Sequence, residues 1–447
     1  MKLHHPGTFR SLRNYNYRVW AAGAIVSNIG TWMQRTAQDW LVLTQLTHRN
    51  ATAMGIVMAL QFGPQLLLLP LTGFAADHFN RRKLLMATQA TMGILALGLG
   101  LLTVTGVVQL WHVYGFAFLL GCATAFDTPP RQTFVADLVG ESDLSNAVAL
   151  NSTSFNIARM IGPAVAGVLI ATIGTGWVFV INGASFGAVL ASLTFLRTRE
   201  LRSEPRVGRA RGSFAEGLRY VQSRPDLRAA LLMFFFIGTF GFNFAIFIST
   251  MSVKIFHAGA SQFGLLTSIM AVGSVIGALL SATRERPRFT TLLTGSAIFG
   301  IGFSVAAFMP NYWLFGLALA VIGVSAQTFS TTANGLVQMS TEPAMRGRVV
   351  AILMAIAMGG TPLGAPIVGW VADTFGSRFA LGVGAAGGFA AAIVAICYLA
   401  RYRHLHVNIA AHRAHISLDA ADDDKVVLSD ALTLVEAAPA SPGGSGS

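Results

Sequence analysis

Charged side chains are scarce in this sequence. Asp, Glu, Lys and Arg make up 11% of its 447 residues, whereas hydrophobic residues make up 53%. Soluble domains carry roughly 25% charged residues, so the composition excludes an ordinary soluble domain. The mean hydropathy of +0.60 indicates instead a chain that is largely embedded in a lipid bilayer.

Two features of secreted proteins are also missing. The only cysteines, Cys122 and Cys397, lie inside apolar stretches, which favours small buried hydrophobes over a disulfide. The basic N-terminal stretch leads into an apolar segment that is too long for a signal peptide. No small-residue cleavage site follows that segment. We therefore expect the first helix to remain in the protein.

Residue sets for catalysis are absent as well. The ten histidines lie in loops, tails or helix ends, no nucleotide-binding loop occurs, and no Cys-His or Ser-His-Asp set is indicated. We expect neither enzyme activity nor a cofactor. His404, His406, His412 and His415 in the C-terminal tail are interpreted as part of a basic juxtamembrane stretch, and we predict no metal site.

Long apolar windows dominate the chain. A bilayer core about 30 Å thick requires some 20 residues of helix, and the sequence contains twelve windows of about that length. They cover approximately residues 17–46, 53–76, 84–105, 110–130, 145–171, 177–197, 228–252, 262–282, 289–309, 312–334, 348–372 and 378–400. The predicted fold class is an all-α membrane protein with twelve transmembrane helices.

The location of the basic residues decides what the net charge of +12 means. With the N-terminus in the cytoplasm, the inner segments hold 26 of the 31 Lys and Arg residues, and the outer loops hold three: Arg49, Lys254 and Arg378. This asymmetry is the positive-inside pattern. It predicts a multi-pass protein of the bacterial inner membrane with both termini cytoplasmic, and no nucleic-acid partner.

One long connection divides the windows into two sets of six. Residues 198–227 are rich in arginine and form the predicted cytoplasmic linker between a bundle at 1–197 and a bundle at 228–401, with a cytoplasmic tail at 402–447. The second half of the linker is either a short amphipathic helix on the membrane surface or a solvated loop. The tail ends in ASPGGSGS, which has the composition of a flexible linker.

The two halves resemble each other. A shift of 202 residues places Gly162 on Gly364, Gly167 on Gly369, and Trp177 on Phe379. This offset predicts a parallel repeat, in which two six-helix bundles are related by an axis along the membrane normal and bind substrate between them.

The loop between the second and third windows carries a recognisable motif. It runs from Gly73 through Asp77 to Arg81, Arg82 and Lys83, and resembles the signature loop of the major facilitator superfamily, with Asn80 in place of the usual second glycine. The resemblance implies that Gly73 allows close helix packing and that Asp77 binds the N-terminus of helix 11. A simple polar turn is the alternative.

The fifth window contains Gly162, Pro163 and Gly167, and it resembles the Gly-Pro motif of antiporters and efflux pumps in that superfamily. Small residues spaced by four allow helices to cross closely, and a proline bends the helix. The motif predicts a gating helix, with ordinary tight packing as the alternative. Residues 126–167, the NIGTWMQ segment and the RGRV segment further resemble the enterobactin-exporter and macrolide-efflux branch.

Four ionisable residues lie within apolar windows, where a charge costs at least about 2.5 kcal/mol. They are Arg35, Asp39, Asp127 and Arg159. We predict Asp39, and after it Asp127, as the proton-coupling carboxylate, with the two arginines as charge partners. The alternative is that these residues only fix helix packing, or that Asp39 lies in the outer interface.

The family resemblance implies a cavity lined by helices 1, 4, 7 and 10, and Gln34, Asn243 and Gln327 are the predicted lining residues. The expected function is proton-coupled export of small amphipathic molecules by alternating access, with protons, substrate and bilayer as partners and a monomeric state. A nutrient uptake symporter and a non-transporting receptor are the alternatives.

Overall fold

The computed structural model describes residues 8–201, 214–284, 287–402, 405–410 and 413–418. Each predicted window contains a helix, and we number these helices α1 to α12. They are α1 Tyr15–Trp40, α2 Ala51–Leu67 continued by Leu69–His78, α3 Arg81–Val104, α4 Leu110–Leu138, α5 Glu141–Ile173, α6 Thr175–Thr194, α7 Pro225–Ile255, α8 Ala260–Ala282, α9 Phe289–Phe308, α10 Tyr312–Ser340, α11 Pro343–Thr374 and α12 Ser377–Tyr402.

Nine of these helices, within the described residues, are long and apolar enough to cross a membrane by length and composition. The remaining three are α1, α2 and α4. The α2 helix is interrupted at Leu68, which leaves an apolar stretch of 17 residues. The other two contain polar and charged residues that lower their hydropathy. The predicted all-helical membrane fold is confirmed.

Outside the twelve helices, the second half of the linker forms a helix at Phe214–Ser223, which we call the linker helix. Its Glu216 pairs with Arg348 of α11 at 3.0 Å. The tail contains an antiparallel hairpin of β1 Leu405–Ala410 and β2 Arg413–Leu418. Residues 202–213, and His404 and His412 of the tail, lie outside the described residues.

The internal repeat is visible in equivalent backbone positions. Gly174 precedes α6 and Gly376 precedes α12, 202 positions later, and both have a positive φ, 91° and 104°, which glycine adopts without strain. Gly167 of α5 packs against the start of α8, and Gly369 of α11 packs against the start of α2. The halves therefore meet along two symmetry-related helix pairs, α5 with α8 and α2 with α11.

Close packing between the halves lies toward one face of the membrane domain. We call this the opposite face, because its loops at 47–50, 256–259 and 375–376 face away from the arginine-rich linker. Asp373, near the end of α11, accepts hydrogen bonds from the backbone N–H groups of Ala51 and Thr52, both at 2.8 Å, and from the Thr52 hydroxyl at 2.7 Å. It also pairs with Lys254 of α7 at 2.8 Å. The two halves are joined at this face.

Toward the linker side, which we call the basic face, the packing is looser. In α5, Ala147 is the one buried residue between Glu141 and Ile157, whereas six residues between Ala158 and Ile170 are buried. The polar residues Ser152 and Thr153 are exposed on this part of the helix. Few residues in this part of α5 are covered by neighbouring helices, so the packing between the halves is looser toward the basic face than toward the opposite face.

Candidate functional site

A cavity of about 370 Å³ lies between the two halves. Its walls come from α1, α2 and α5 of the first half and from α7, α8, α10 and α11 of the second. The charged and polar lining residues are Arg35, Thr36, Asp39, Gln61, Arg159, Thr267, Ser274, Gln327, Ser330 and Thr361. The volume falls within the range of roughly 300 to 1,000 Å³ that is usual for small-molecule sites.

The two arginines of this cavity contact the same tryptophan. The guanidinium carbon of Arg35 lies 4.8 Å from the centre of the Trp32 ring and 5.5 Å from that of Phe62. The guanidinium carbon of Arg159 lies 5.9 Å from the centre of the same Trp32 ring. Both arginines therefore make cation–π contacts with a single indole.

The local sequence explains how these groups meet. Arg35 and Asp39 are four residues apart and share a face of α1. On α5, Gly162 packs so closely against α1 that a Cβ there would lie 2.6 Å from the Trp32 Cβ. Arg159 lies one turn before Gly162, so the small residue of the helix 5 motif brings this arginine to the indole.

Asp39 is open to the cavity. Within the described part of the chain, its carboxylate forms no hydrogen bond and no ion pair shorter than 4.0 Å, although it interacts electrostatically with Arg35. Its surroundings include the aromatic rings of Phe242, Phe244 and Phe263.

Asp127 has a different environment. It is buried between α3 and α4, where one carboxylate oxygen accepts hydrogen bonds from Thr88 at 2.8 Å and Gln89 at 2.7 Å. The other oxygen pairs with Arg131 at 2.7 Å. Asp127 does not contribute to the lining of the described cavity.

Of the three predicted polar lining residues, one lines the cavity and two do not. Gln327 lines the cavity. Gln34 points instead toward α6 and accepts a hydrogen bond from Asn182. Asn243 is buried, donates to the Thr239 carbonyl at 2.7 Å, and packs near Gly364 of α11. Sequence reasoning did not predict Gln61 as a lining residue. The available signal was a polar residue within an apolar helix.

The α7 helix has an irregular centre that shapes the cavity. Its α-helical segment Pro225–Phe236 changes to a π-helical turn at Ile237–Gly241 and resumes at Phe244. Phe242 and Phe244 flank the interruption, and both line the cavity. Such π-helical segments are frequent at functional sites.

The signature loop connects helices of the first half. Arg81 pairs with Asp137 of α4 at 2.7 Å, and Arg82 donates to the Leu193 carbonyl at the end of α6, also at 2.7 Å. Gly73 lies in the second part of α2. The side chain of Asp77 lies outside the described residues, so its predicted contact with α11 stays a prediction.

The helix 5 motif lies at two crossings. Gly162 contacts α1, as described above, and Gly167 contacts Ala260 at the start of α8. Gly264 of α8 packs in turn against the Pro163 carbonyl. The motif is thus part of the packed contact between the halves, and Pro163 also lines the cavity.

The fold and the cavity define a polytopic membrane transporter, and solved structures share this fold. A bacterial homologue of the human lysosomal transporter Spinster, in an inward-facing and unoccupied conformation, has a TM-score of 0.64 at 16% identity, over 87% of this chain and 95% of that chain. A bacterial homologue of the iron transporter ferroportin, also inward-facing, has a TM-score of 0.68 at 12% identity, over 86% and 99%.

The chain belongs to the transmembrane secretion effector family, whose family model matches residues 6–423. It is 27% identical to the staphyloferrin A transporter of Staphylococcus aureus, over 78% of this chain and 87% of the relative. It is 26% identical to the multidrug efflux pump Tap of Mycolicibacterium fortuitum (79% and 88%) and to macrolide efflux protein A of Streptococcus pyogenes (80% and 90%). The predicted membership in the efflux-type major facilitator transporters is confirmed.

Proposed function

We propose that this chain exports small amphipathic molecules, of drug or siderophore type, from the cytoplasm in exchange for protons. The relatives named for siderophore, multidrug and macrolide transport support the substrate class. The cavity between the halves supports alternating access, in which a central site opens to one side of the membrane at a time. The protein acts as a monomer in the bacterial inner membrane.

The basic face is assigned to the cytoplasm, together with both termini, because positive residues accumulate on the inner side. The described conformation is then inward-open. The joining of its halves at the outer face through Asp373, Ala51 and Thr52 supports this assignment.

Asp39 is the proposed coupling residue. The observation that carries this assignment is that Asp39 lines the central cavity without a hydrogen-bond partner among the described residues, whereas Asp127 is held by three side chains. Proton uptake by Asp39 from the outer side, followed by release to the cytoplasm, would drive the return of the empty carrier. An inward proton gains about 2.3 kcal/mol per 100 mV of membrane potential.

The test is transport into everted vesicles, with a pH-sensitive dye that reports proton movement during a substrate screen. Asp39→Asn is expected to abolish uphill accumulation while it preserves ligand binding. Asp127→Asn is the matched comparison, because it removes another intramembrane carboxylate outside the cavity, and it should still accumulate substrate. Uphill transport that survives in Asp39→Asn would exclude this residue as the coupling site, and its survival in both variants would exclude proton coupling through either carboxylate.

A further inference from the structure

The central cavity contains guanidinium groups whose N–H donors lack acceptors among the described residues. Neither Arg35 nor Arg159 donates a hydrogen bond to another residue in the part of the chain that the structure describes, and the Nε atom of Arg35 is buried without an acceptor. A guanidinium carries five N–H donors and no acceptor. Donors of this kind in a largely apolar cavity require water or an anionic ligand.

The charge of the cavity lining is positive. Its ionisable residues, among the described lining set, are Arg35, Arg159 and Asp39. Arginine stays protonated in proteins, so the two cations exceed the one carboxylate even when Asp39 is ionised. A cationic substrate would therefore enter against the net charge of the cavity, whereas an anionic substrate would neutralise it.

The two arginines are also held in position. Trp32 contacts both guanidinium groups through its ring, and Phe62 contacts that of Arg35 on α1. Stacking on an aromatic face leaves the edge of a guanidinium available for paired hydrogen bonds to an oxyanion. The ring contacts of Trp32 and Phe62 therefore position the guanidinium groups for such a ligand.

We propose that the substrate is an amphipathic anion, whose carboxylate or comparable oxyanion group binds between Arg35 and Arg159, and whose apolar body contacts Phe242, Phe244 and Phe263. This inference rests on the proposed transport function and names the charge class of the substrate for the same cavity. Asp39 lies on the same face of α1 as Arg35.

The experiment compares two dyes that share a xanthene ring system and differ in charge. Sulforhodamine B has one net negative charge, and rhodamine 6G has one net positive charge. Binding is measured by fluorescence anisotropy with the full chain in lipid nanodiscs, after subtraction of the signal from empty nanodiscs. No proton gradient is present, so the result does not depend on coupling, and the vesicle assay tests transport separately.

Sulforhodamine B is expected to bind about tenfold more tightly than rhodamine 6G. Arg35→Gln and Arg159→Gln should each weaken sulforhodamine B binding by about tenfold, because each removes charged hydrogen-bond donors. Arg18→Gln is the matched control, since Arg18 is an exposed arginine on the same helix as Arg35, and its affinity should stay unchanged.

Tighter binding of rhodamine 6G would overturn the proposal, and so would the absence of saturable sulforhodamine B binding. Equal sulforhodamine B affinity in the Arg35→Gln, Arg159→Gln and Arg18→Gln variants would do the same. In each of these cases, proton-coupled export of a cationic or neutral substrate in vesicles would still support the proposed transport function.

Discussion

At the residue scale, the two intramembrane aspartates have different roles in the protein. Asp127 connects α3 to α4 through Thr88, Gln89 and Arg131. Asp39 forms no comparable bond within the described chain and faces the cavity. A carboxylate that stabilises a helix pair is costly to protonate during each cycle, because its partners would lose their acceptor.

This difference predicts that substitution of the two aspartates affects stability differently. Asp127→Asn removes the ion pair with Arg131 and leaves that guanidinium without its partner, which should destabilise the protein by about 2 kcal/mol. Asp39→Asn loses no hydrogen bond to a described residue, so its apparent melting temperature should match that of the unaltered protein. Thermal unfolding of the two purified variants in the same detergent provides the measurement. Equal melting temperatures would show that the Asp127 contacts contribute little.

Sequence reasoning identified some residues of the cavity correctly and others incorrectly. Arg35, Asp39 and Arg159 were found because charged groups are rare in apolar windows, and such groups tend to face water or protein. Gln327 was placed at the cavity by the family resemblance. The face on which Gln34 lies depends on how α1 is rotated against α6. That rotation is set by packing between helices, which a single sequence does not reveal.

At the element scale, the halves meet through glycines in symmetry-related helices. The Cβ of a larger residue at Gly167 would lie 2.6 Å from the Ala260 carbonyl oxygen, and one at Gly369 would overlap the Ala51 carbonyl. Small residues at the crossings therefore allow the halves to pack closely at this face. Under the proposed orientation, these contacts stabilise the inward-open conformation.

Enlarging these glycines should open the outer face. Gly167→Val and Gly369→Val are each expected to destabilise the inward-open state by about 1 to 3 kcal/mol, the usual effect of overpacking. Gly382→Val of α12 is the matched control, because a Cβ at Gly382 would have no neighbouring atom within 4 Å. Distances between spin labels at His48 and Arg378, in a background without Cys122 and Cys397, report the opening. Unchanged distances in both variants would mean that the interface accommodates the added side chains without opening.

The Asp373 contacts provide a second connection at the same face. Asp373→Ala removes three hydrogen bonds between α11 and the N-terminus of α2. The site is partly exposed to solvent, which screens charge, so we expect a loss of about 1 kcal/mol for the closed outer face. The same pair of spin labels should show an increased population of outward-open molecules. Glu200→Ala, which removes an exposed ion pair with Arg197 on the other side of the membrane, should show no shift.

The helices themselves were largely predictable, but their irregularities were not. Windows of apolar residues gave all twelve segments, because the bilayer imposes their length and composition. The interruption of α7 near Asn243 was not predicted, because no proline lies there and the two glycines of the turn, Gly238 and Gly241, are a weak signal. Gly360 and Gly364 of α11 pack closely against it, which is a tertiary contact. The tail hairpin was also not predicted.

At the scale of the whole molecule, the charge of the substrate and the direction of transport are connected. The membrane potential of a bacterium is negative inside, so it drives protons inward and anions outward. Exchange of one proton for one singly charged anion therefore moves two charges in their favoured directions. The potential supplies about 2.3 kcal/mol per charge per 100 mV, or about 4.6 kcal/mol per cycle.

This argument predicts that the electrical potential, rather than the pH difference, dominates export of an anion such as sulforhodamine B. In energised everted vesicles, valinomycin with potassium should abolish most of the dye accumulation, whereas nigericin, which dissipates the pH difference, should leave most of it. Arg35→Gln vesicles serve as the control for passive dye movement, because the proposed anion contact is absent. Accumulation that depends only on the pH difference would contradict an electrogenic exchange. If the dye instead leaves preloaded vesicles together with protons, the chain works as an uptake symporter.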